Sequence, residues 1–349
     1  MYKSDIKQLA DELIKTRRLS GEKFEQLLTH RDVVKKEIQQ SAKAVTTKSF
    51  HRTLYVRGLI EISNYCRNNC FYCGIRRDND YVSRYRLTKD EILKSVRLGT
   101  DMGFKTFVLQ GGEDPGLSDA FLMDVLDSIH HINPEAAITL SIGEKDTATL
   151  EAYKSHGADR FLLRHETKNR DHYYQLHPET MSLENRLRAL SDLKALGYQT
   201  GSGIMVGTPG QTYATLAEDL VYLHELQPEM VGIGPFIPAK HTPFENEPAG
   251  SVELTLFLLC VLRLMFPKAN IPATTSLNTL SKTGRDDAIT YACNVYMPNL
   301  TPPRHRKDYA LYDDKACFKI EAAENLDDLK AIMKGLGREV VMDRGDFHV

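Results

Sequence analysis

Near residue 52 the spacing of apolar residues along the chain changes character. Before that point they recur at helical intervals and predict three helices: Ser4 to Lys15, a second behind the N-cap candidate Ser20 with Glu22 and Lys23 in its first turn, and a third from about Asp32. After it, short apolar runs alternate with amphipathic stretches. The runs predict eight strands: Leu54–Ser63, Thr106–Gln110, Ala137–Ile142, Arg160–His165, Gln199–Val206, Met230–Ile237, Ile271–Ser276 and Asn294–Met297. Between them fall predicted helices at Lys89–Met102, Ser118–His131, Asp146–His156, near Arg170, Leu183–Leu196, Tyr213–Leu226, Leu254–Phe266 and Arg285–Cys293. Thr88 with Glu91 makes a capping box, and Gly157 and Gly197 stop two helices. The strands lack strict alternation, which suits a parallel sheet covered on both faces. Eight such units close most economically as a (βα)8 barrel, an α/β fold of TIM type. An open doubly wound sheet fits less well, because no G-x-G-x-x-G follows strand one. The expected organisation is N-terminal helices over 1–50, the barrel over 51–305, and a C-terminal appendage over 306–349 with a helix Asn325–Leu336 and a last strand Val340–Met342. The N-terminal helices are candidates to cover an open end of the barrel.

Composition narrows the function classes. The 349 residues carry 26% charged side chains at a formal net charge of -2, so no basic stripe points to nucleic acid. The N-terminus lacks the apolar core of a signal peptide, and the most apolar run, Leu254 to Phe266, is short and interrupted by Arg263. A cytoplasmic protein away from membranes is expected.

Half of the six cysteines lie in one loop after strand one, at C-x3-C-x2-C spacing: Cys66, Cys70 and Cys73. Thiolates this close cannot all pair as disulfides, and soft sulfur ligands favour zinc or an iron-sulfur cluster. Zinc would need a fourth ligand from a distant Cys or His. A 4Fe-4S cluster held by three thiolates would leave one iron open to a small chelating molecule. The spacing, with Tyr72 directly before the last cysteine, resembles the radical S-adenosylmethionine (SAM) superfamily. That resemblance implies SAM chelating the fourth iron and a 5'-deoxyadenosyl radical attacking the substrate.

In a barrel the C-terminal ends of strands carry the chemistry. Strand two ends Gln110-Gly111-Gly112-Glu113, where the glycines allow close approach and Glu113 can accept from an ammonium group. Alternation sends Thr139 and Ser141 to one face, and Arg164 and Glu166 likewise, with His165 outward in a structural role. Arg164 and Glu166 either form a structural ion pair or bind ligands. Arg186 is a solvated helix arginine or a partner for the SAM carboxylate, and Met230 packs the core or touches adenine. Thr274 and Thr275, polar for a core strand, can hold an anion, Arg57 adds a second cation, and Tyr309 and Tyr312 are candidates to close the cavity. Cys260 and Cys293 read as inert buried thiols.

Five segments together, Ile60–Cys66, Val108–Asp114, Leu162–Thr167, Met230–Pro238 and Ile271–Thr275, resemble the HydE family of FeFe-hydrogenase maturases, over about residues 5 to 345. The resemblance implies that Cys66, Cys70 and Cys73 ligate the cluster and that Tyr72, Gly112, Glu113, Ser141, Glu166, Arg186 and Met230 contact SAM. It implies that Arg57, Gln110, Thr139, Arg164, Thr274, Thr275 and Tyr309 line the cavity for a small anionic or organometallic substrate, a cysteine-bound iron carbonyl cyanide precursor. An electron donor such as ferredoxin or flavodoxin and the other hydrogenase maturases are the implied partners. Some members carry three further cysteines near the C-terminus; here only Cys317 remains, so no stable second cluster is expected. The competing readings are a 3-methylornithine synthase-like mutase and a non-enzymatic carrier of a cluster or iron synthon. Biotin synthase fits less well, because ligands for a second cluster are lacking.

Overall fold

The computed structural model describes residues 2–312 and 323–347; Cys317 lies outside them. Helices α1 (Lys3–Thr16), α2 (Gly21–Thr29) and α3 (Lys35–Phe50) precede β1 (Thr53–Val56) and β2 (Gly58–Ser63). The strand–helix alternation follows as α4 (Lys89–Asp101), β3 (Thr106–Gly111), α5 (Asp119–Ile132), β4 (Ala137–Ser141), α6 (Thr147–Ser155), β5 (Ala158–Leu162), α7 (Arg170–Leu176) and α8 (Leu183–Ala195). It continues through β6 (Gln199–Ser202), β7 (Met205–Val206), α9 (Tyr213–Leu226), β8 (Met230–Val231), β9 (Gly234–Pro235), α10 (Val252–Met265), α11 (Thr275–Leu280), α12 (Gly284–Tyr291) and β10 (Val295–Tyr296). After β10 come α13 (Pro303–Arg306), α14 (Leu326–Gly335) and β11 (Glu339–Val341).

Strands β2-β3-β4-β5-β6-β8 form one parallel sheet in that order. Single parallel bridges, Met230 to Asn270, Pro272 to Val295 and Asn299 to Leu59, carry the pairing onward and back to β2, so the expected barrel closes. Caps act where the sequence places them: the Thr88 hydroxyl accepts from Glu91 N at 3.3 Å while the Glu91 carboxylate accepts from Thr88 N at 2.9 Å.

Three expected strands are broken. Strand one splits at Arg57, so that β1 pairs with β10 on one side and the last strand β11 on the other. Strands five and six split at Gly203-Ile204 and Gly232-Ile233, where the upper halves leave the ring to pair with each other as β7 and β9. Strand seven ends early: Thr274 caps α11 and Thr275 is its first residue. The chain turns helical there because Leu277 is buried, and α11 packs on α12 and β9.

The N-terminal helices do not cap an end of the barrel. α2 packs on α9, and α3 on α10 and α12, as a second helical layer. That explains why α10 is apolar around its whole circumference: one side meets the barrel and the other α3. Its one buried charge, Arg263, donates to the carbonyls of Ala292, Pro267 and Ala269 at 2.8–3.0 Å; burial pulls its pKa down to about 9. The tail after β11 closes the N-terminal mouth. Arg160 donates to Arg344 O and Asp346 Oδ1, both at 2.7 Å, and Thr106 to Arg344 O at 2.9 Å. Among the described residues no helix is long and apolar enough to cross a membrane.

Candidate active site

The cysteine loop leaves β2 at the C-terminal mouth and is held by polar side chains. Arg84 donates to four carbonyls of the loop and its continuation: Asn64 (2.6 Å), Ile75 (2.9 Å), Arg76 (2.6 Å) and Asn79 (3.0 Å). Asn64 ties the loop to Ser83 O and Asp308 O, and Asp114 accepts from Ser63 and from both arms of Arg86. On its other side the loop meets the Gly-Gly-Glu turn after β3. Arg67 N donates to Glu113 O at 2.8 Å, and a Cβ on Gly112 would strike the Tyr65 carbonyl. Gly143, at φ +81°, leaves the space the Glu113 side chain fills. Sequence reasoning anticipated Gly112 but not Gly143 or Arg84.

The three thiols are half-buried, and burial pushes all of them up. For Cys70 the neighbouring Cys73 adds to the effect, and Cys73 itself, beside Cys66, rises to about 12. Three such thiols cannot ionise together without positive charge among them, and iron binding to a thiolate displaces its proton. Three soft sulfur donors in one loop, none of them tied up in a disulfide, are a set that an iron-sulfur cluster takes. The donor set and its surroundings therefore fit a 4Fe-4S cluster.

Around the loop lie several of the expected cofactor residues. Tyr72 reaches His177 Nε2 at 3.2 Å; His177 Nδ1 faces the Tyr173 carbonyl at 3.0 Å and must donate, so Nε2 accepts from the phenol. Burial, reinforced by Arg186, lowers the His177 pKa to about 3 and keeps the ring neutral. Arg186 donates to Glu144 at 2.5 Å and to the Arg164 carbonyl at 2.6 Å. Glu113 receives Arg67 at 2.9 Å and the Glu144 N–H at 2.8 Å. Arg164 and Glu166 do pair, at 2.9 Å, yet Glu166 Oε2 is buried without a partner and its backbone is left-handed, φ +65°. A cleft of about 480 Å³ opens beside this group, lined by Gly112, Glu113, Glu144 and Arg188 among others.

Deeper in the barrel the face is set by Phe107, which packs outward against Gly99 of α4; Val108 and Gln110 therefore point inward. Gln110 reaches Tyr309 Oη at 3.4 Å, and register puts Ser141 beside Gln110 and Thr139 beside Val108. The Thr139 hydroxyl is buried without a partner. Thr274 Oγ1 meets Ile233 O at 3.3 Å and Ser276 Oγ at 3.1 Å. Arg57 and Met230 are not brought to the cysteine loop. They meet each other, guanidinium to sulfur at 3.1 Å, near the N-terminal mouth, where Arg57 also touches Gly345 O. His165 points outward as expected, to Ser202 at 2.9 Å and Asp219 of α9. Glu144, His177 and Tyr173 escaped the sequence reading: they sit in a loop, in a helix cap and within an aromatic helix run.

Residues 60–223 match the Radical SAM superfamily. A curated relative, the [FeFe] hydrogenase maturase subunit HydE of Thermotoga maritima, is 44% identical over 84% of this chain and 83% of its own. The 3-methylornithine synthase of Methanosarcina acetivorans is 26% identical over 97% of this chain and 95% of its own. Among solved structures, methylornithine synthase (PylB) superposes with a TM-score of 0.81 at 25% identity, covering 97% of this chain and 98% of its own.

Proposed function

From the premise that the chain belongs to the HydE family of hydrogenase maturases and is a radical SAM enzyme, we propose that it directs a SAM-derived radical at a cysteine-bound iron carbonyl cyanide precursor. The setting is assembly of the di-iron active site of FeFe hydrogenase in the cytoplasm, alongside the other maturases, with ferredoxin or flavodoxin as electron donor. Cys66, Cys70 and Cys73 hold three irons and leave the fourth to SAM. When bound, the cluster supplies the electron that breaks a carbon–sulfur bond of SAM, giving methionine and the 5'-deoxyadenosyl radical. Glu113 accepts from the SAM ammonium, Arg186 receives its carboxylate, Gly112, Ser141 and Glu166 complete the cradle, and Tyr72 bounds the adenine. Gln110, Thr139, Arg164, Thr274, Thr275 and Tyr309 offer the substrate a cation and a ring of hydrogen-bonding groups, a lining suited to an anion.

The observation that carries this reading is a pair of shielded oxygens without partners, Thr139 Oγ1 and Glu166 Oε2, on the barrel wall. Leaving each unpaired costs about 1–3 kcal/mol, and a ligand offsets that cost. The test is anaerobic: the cluster is reconstituted, dithionite and SAM are added, and 5'-deoxyadenosine is measured with Cys70→Ala as control. Product that vanishes in the variant and rises when the iron synthon is supplied supports the proposal. A rise with lysine instead of the synthon transfers the chain to the mutase reading, and no product from a loaded cluster leaves the carrier reading in its place.

A further inference from the structure

The short helix α7 places Tyr173 beside the cysteine loop, and none of the roles above uses it. Its ring is fully buried, stacked on His177 with centroids 4.2 Å apart. It packs with Met181 and Leu183 in a small apolar cluster against which Cys70 sits, the Met181 sulfur lying 3.6 Å from Cys70 Sγ. Packing accounts for the ring but not for the hydroxyl, which is shut off from solvent and has no hydrogen-bond partner. Other buried tyrosines solve that problem within the chain: Tyr198 donates to Leu150 O at 2.6 Å and Tyr85 to Glu61 O at 2.9 Å. Phenylalanine would fill the Tyr173 site without the cost of an unpaired hydroxyl.

The charged groups that bear most on this phenol are Arg186 of α8, Glu144 from the loop before α6, Cys70, and Glu166 after β5, while neutral His177 stacks on its ring. Burial raises its pKa, so the phenol remains a neutral donor. We propose that the Tyr173 hydroxyl is a second hydrogen-bond donor to the SAM carboxylate, next to Arg186. The inference rests on the reading of Arg186 as the carboxylate's partner. A carboxylate offers about four lone-pair sites, more than one guanidinium fills. A phenol adds a donor there without a second positive charge beside Arg186.

The test uses the cluster-loaded protein without reductant, so that nothing turns over, and measures dissociation constants by equilibrium dialysis for SAM and for decarboxylated SAM. Tyr173→Phe is expected to weaken SAM roughly ten- to a hundredfold, the worth of a hydrogen bond to a charged acceptor. It should leave decarboxylated SAM within about twofold, and the ligand-free melting temperature unchanged or higher, because an unpaired buried group has been removed. Equal weakening of both ligands, or of neither, overturns the proposal. So does unchanged SAM binding with a shifted EPR spectrum of the separately reduced cluster, which would assign the hydroxyl to a cluster sulfur. Arg186→Gln, made with Glu144→Gln so that no buried charge is stranded, is run in parallel. If that variant discriminates between the ligands and Tyr173→Phe does not, only the Tyr173 proposal falls; if neither does, the reading of Arg186 falls with it.

Discussion

At the N-terminal mouth of the barrel Arg160, fully buried, directs its guanidinium at the chain's own tail, and Asp346 answers it while also receiving Gln199 and Arg344. Arg57 leans on the same tail through Gly345 O, although its Nε stays unpaired. At the C-terminal mouth Arg164 and Arg186 also have partners, but Glu166 and Tyr173 each keep a shielded polar atom with nothing to bond. Both mouths bury charge. One is closed by residues whose role ends with the fold, and the other retains unmet hydrogen-bonding capacity of the kind a ligand supplies.

The largest effect should come from opening the closed mouth. Ending the chain at Met342 removes the Asp346 carboxylate and the tail carbonyls that serve Arg160, leaving that guanidinium buried without its ion pair. Breaking a buried pair from one side costs about 3–5 kcal/mol, so urea denaturation of the truncated protein is expected to show a loss of that order, or no folded protein at all. A loss below about 1 kcal/mol would mean that the tail merely rests on the barrel, and the contrast between the mouths would fail.

Acid should separate the two mouths. His177 is held at about 3 in the fold, by burial first and Arg186 second, against about 6.5 when unfolded. As pH falls below 6.5 the unfolded chain takes up a proton that the folded chain refuses, so stability is lost progressively toward pH 3. For Asp346, burial pushes the carboxyl up, but Arg344, Arg160 and Gln199 outweigh it and hold it low. Its contribution is therefore complete above about pH 4 and lost below, as pH falls toward the folded value. In denaturation curves at several pH values, His177→Gln should flatten the limb from roughly 6.5 down to 3, and Asp346→Asn only the limb below about 4. Flattening between 6.5 and 4 by Asp346→Asn, or none there by His177→Gln, would break the assignment.

What the sequence disclosed follows the same division. Strand and helix order was legible because each unit buries its own face, and the cysteine loop because three thiols in eight residues have few uses. Gly112 and Glu113 were legible because they end a strand. The tail that closes the barrel was not, since Asp346 meets Arg160 only through a fold that joins positions 186 apart in sequence. Thr274 and Thr275 read as strand because they continue the short apolar run that opens at Ile271, and only packing against α12 turns the chain helical there. Tyr173 lies in His172-Tyr173-Tyr174, a run indistinguishable from ordinary core until the missing hydrogen bond is seen.

The smallest expected change in stability is also the most discriminating. Glu166 is a non-glycine residue at φ +65°, a conformation that costs an ordinary side chain about 1–2 kcal/mol and asparagine less. Its ion pair with Arg164 offsets little, because the Arg164 side chain is 33% exposed and such pairs contribute at most about 1 kcal/mol. Glu166→Asn should therefore melt within a few degrees of the parent, relieving strain roughly as much as it loses in pairing, while SAM binding weakens tenfold or more with the loss of the unpaired Oε2. Paired thermal melts and SAM dissociation constants check this. A variant that instead loses 2 kcal/mol or more with SAM binding intact would show the carboxylate to be part of the fold, and the two mouths would no longer differ in kind.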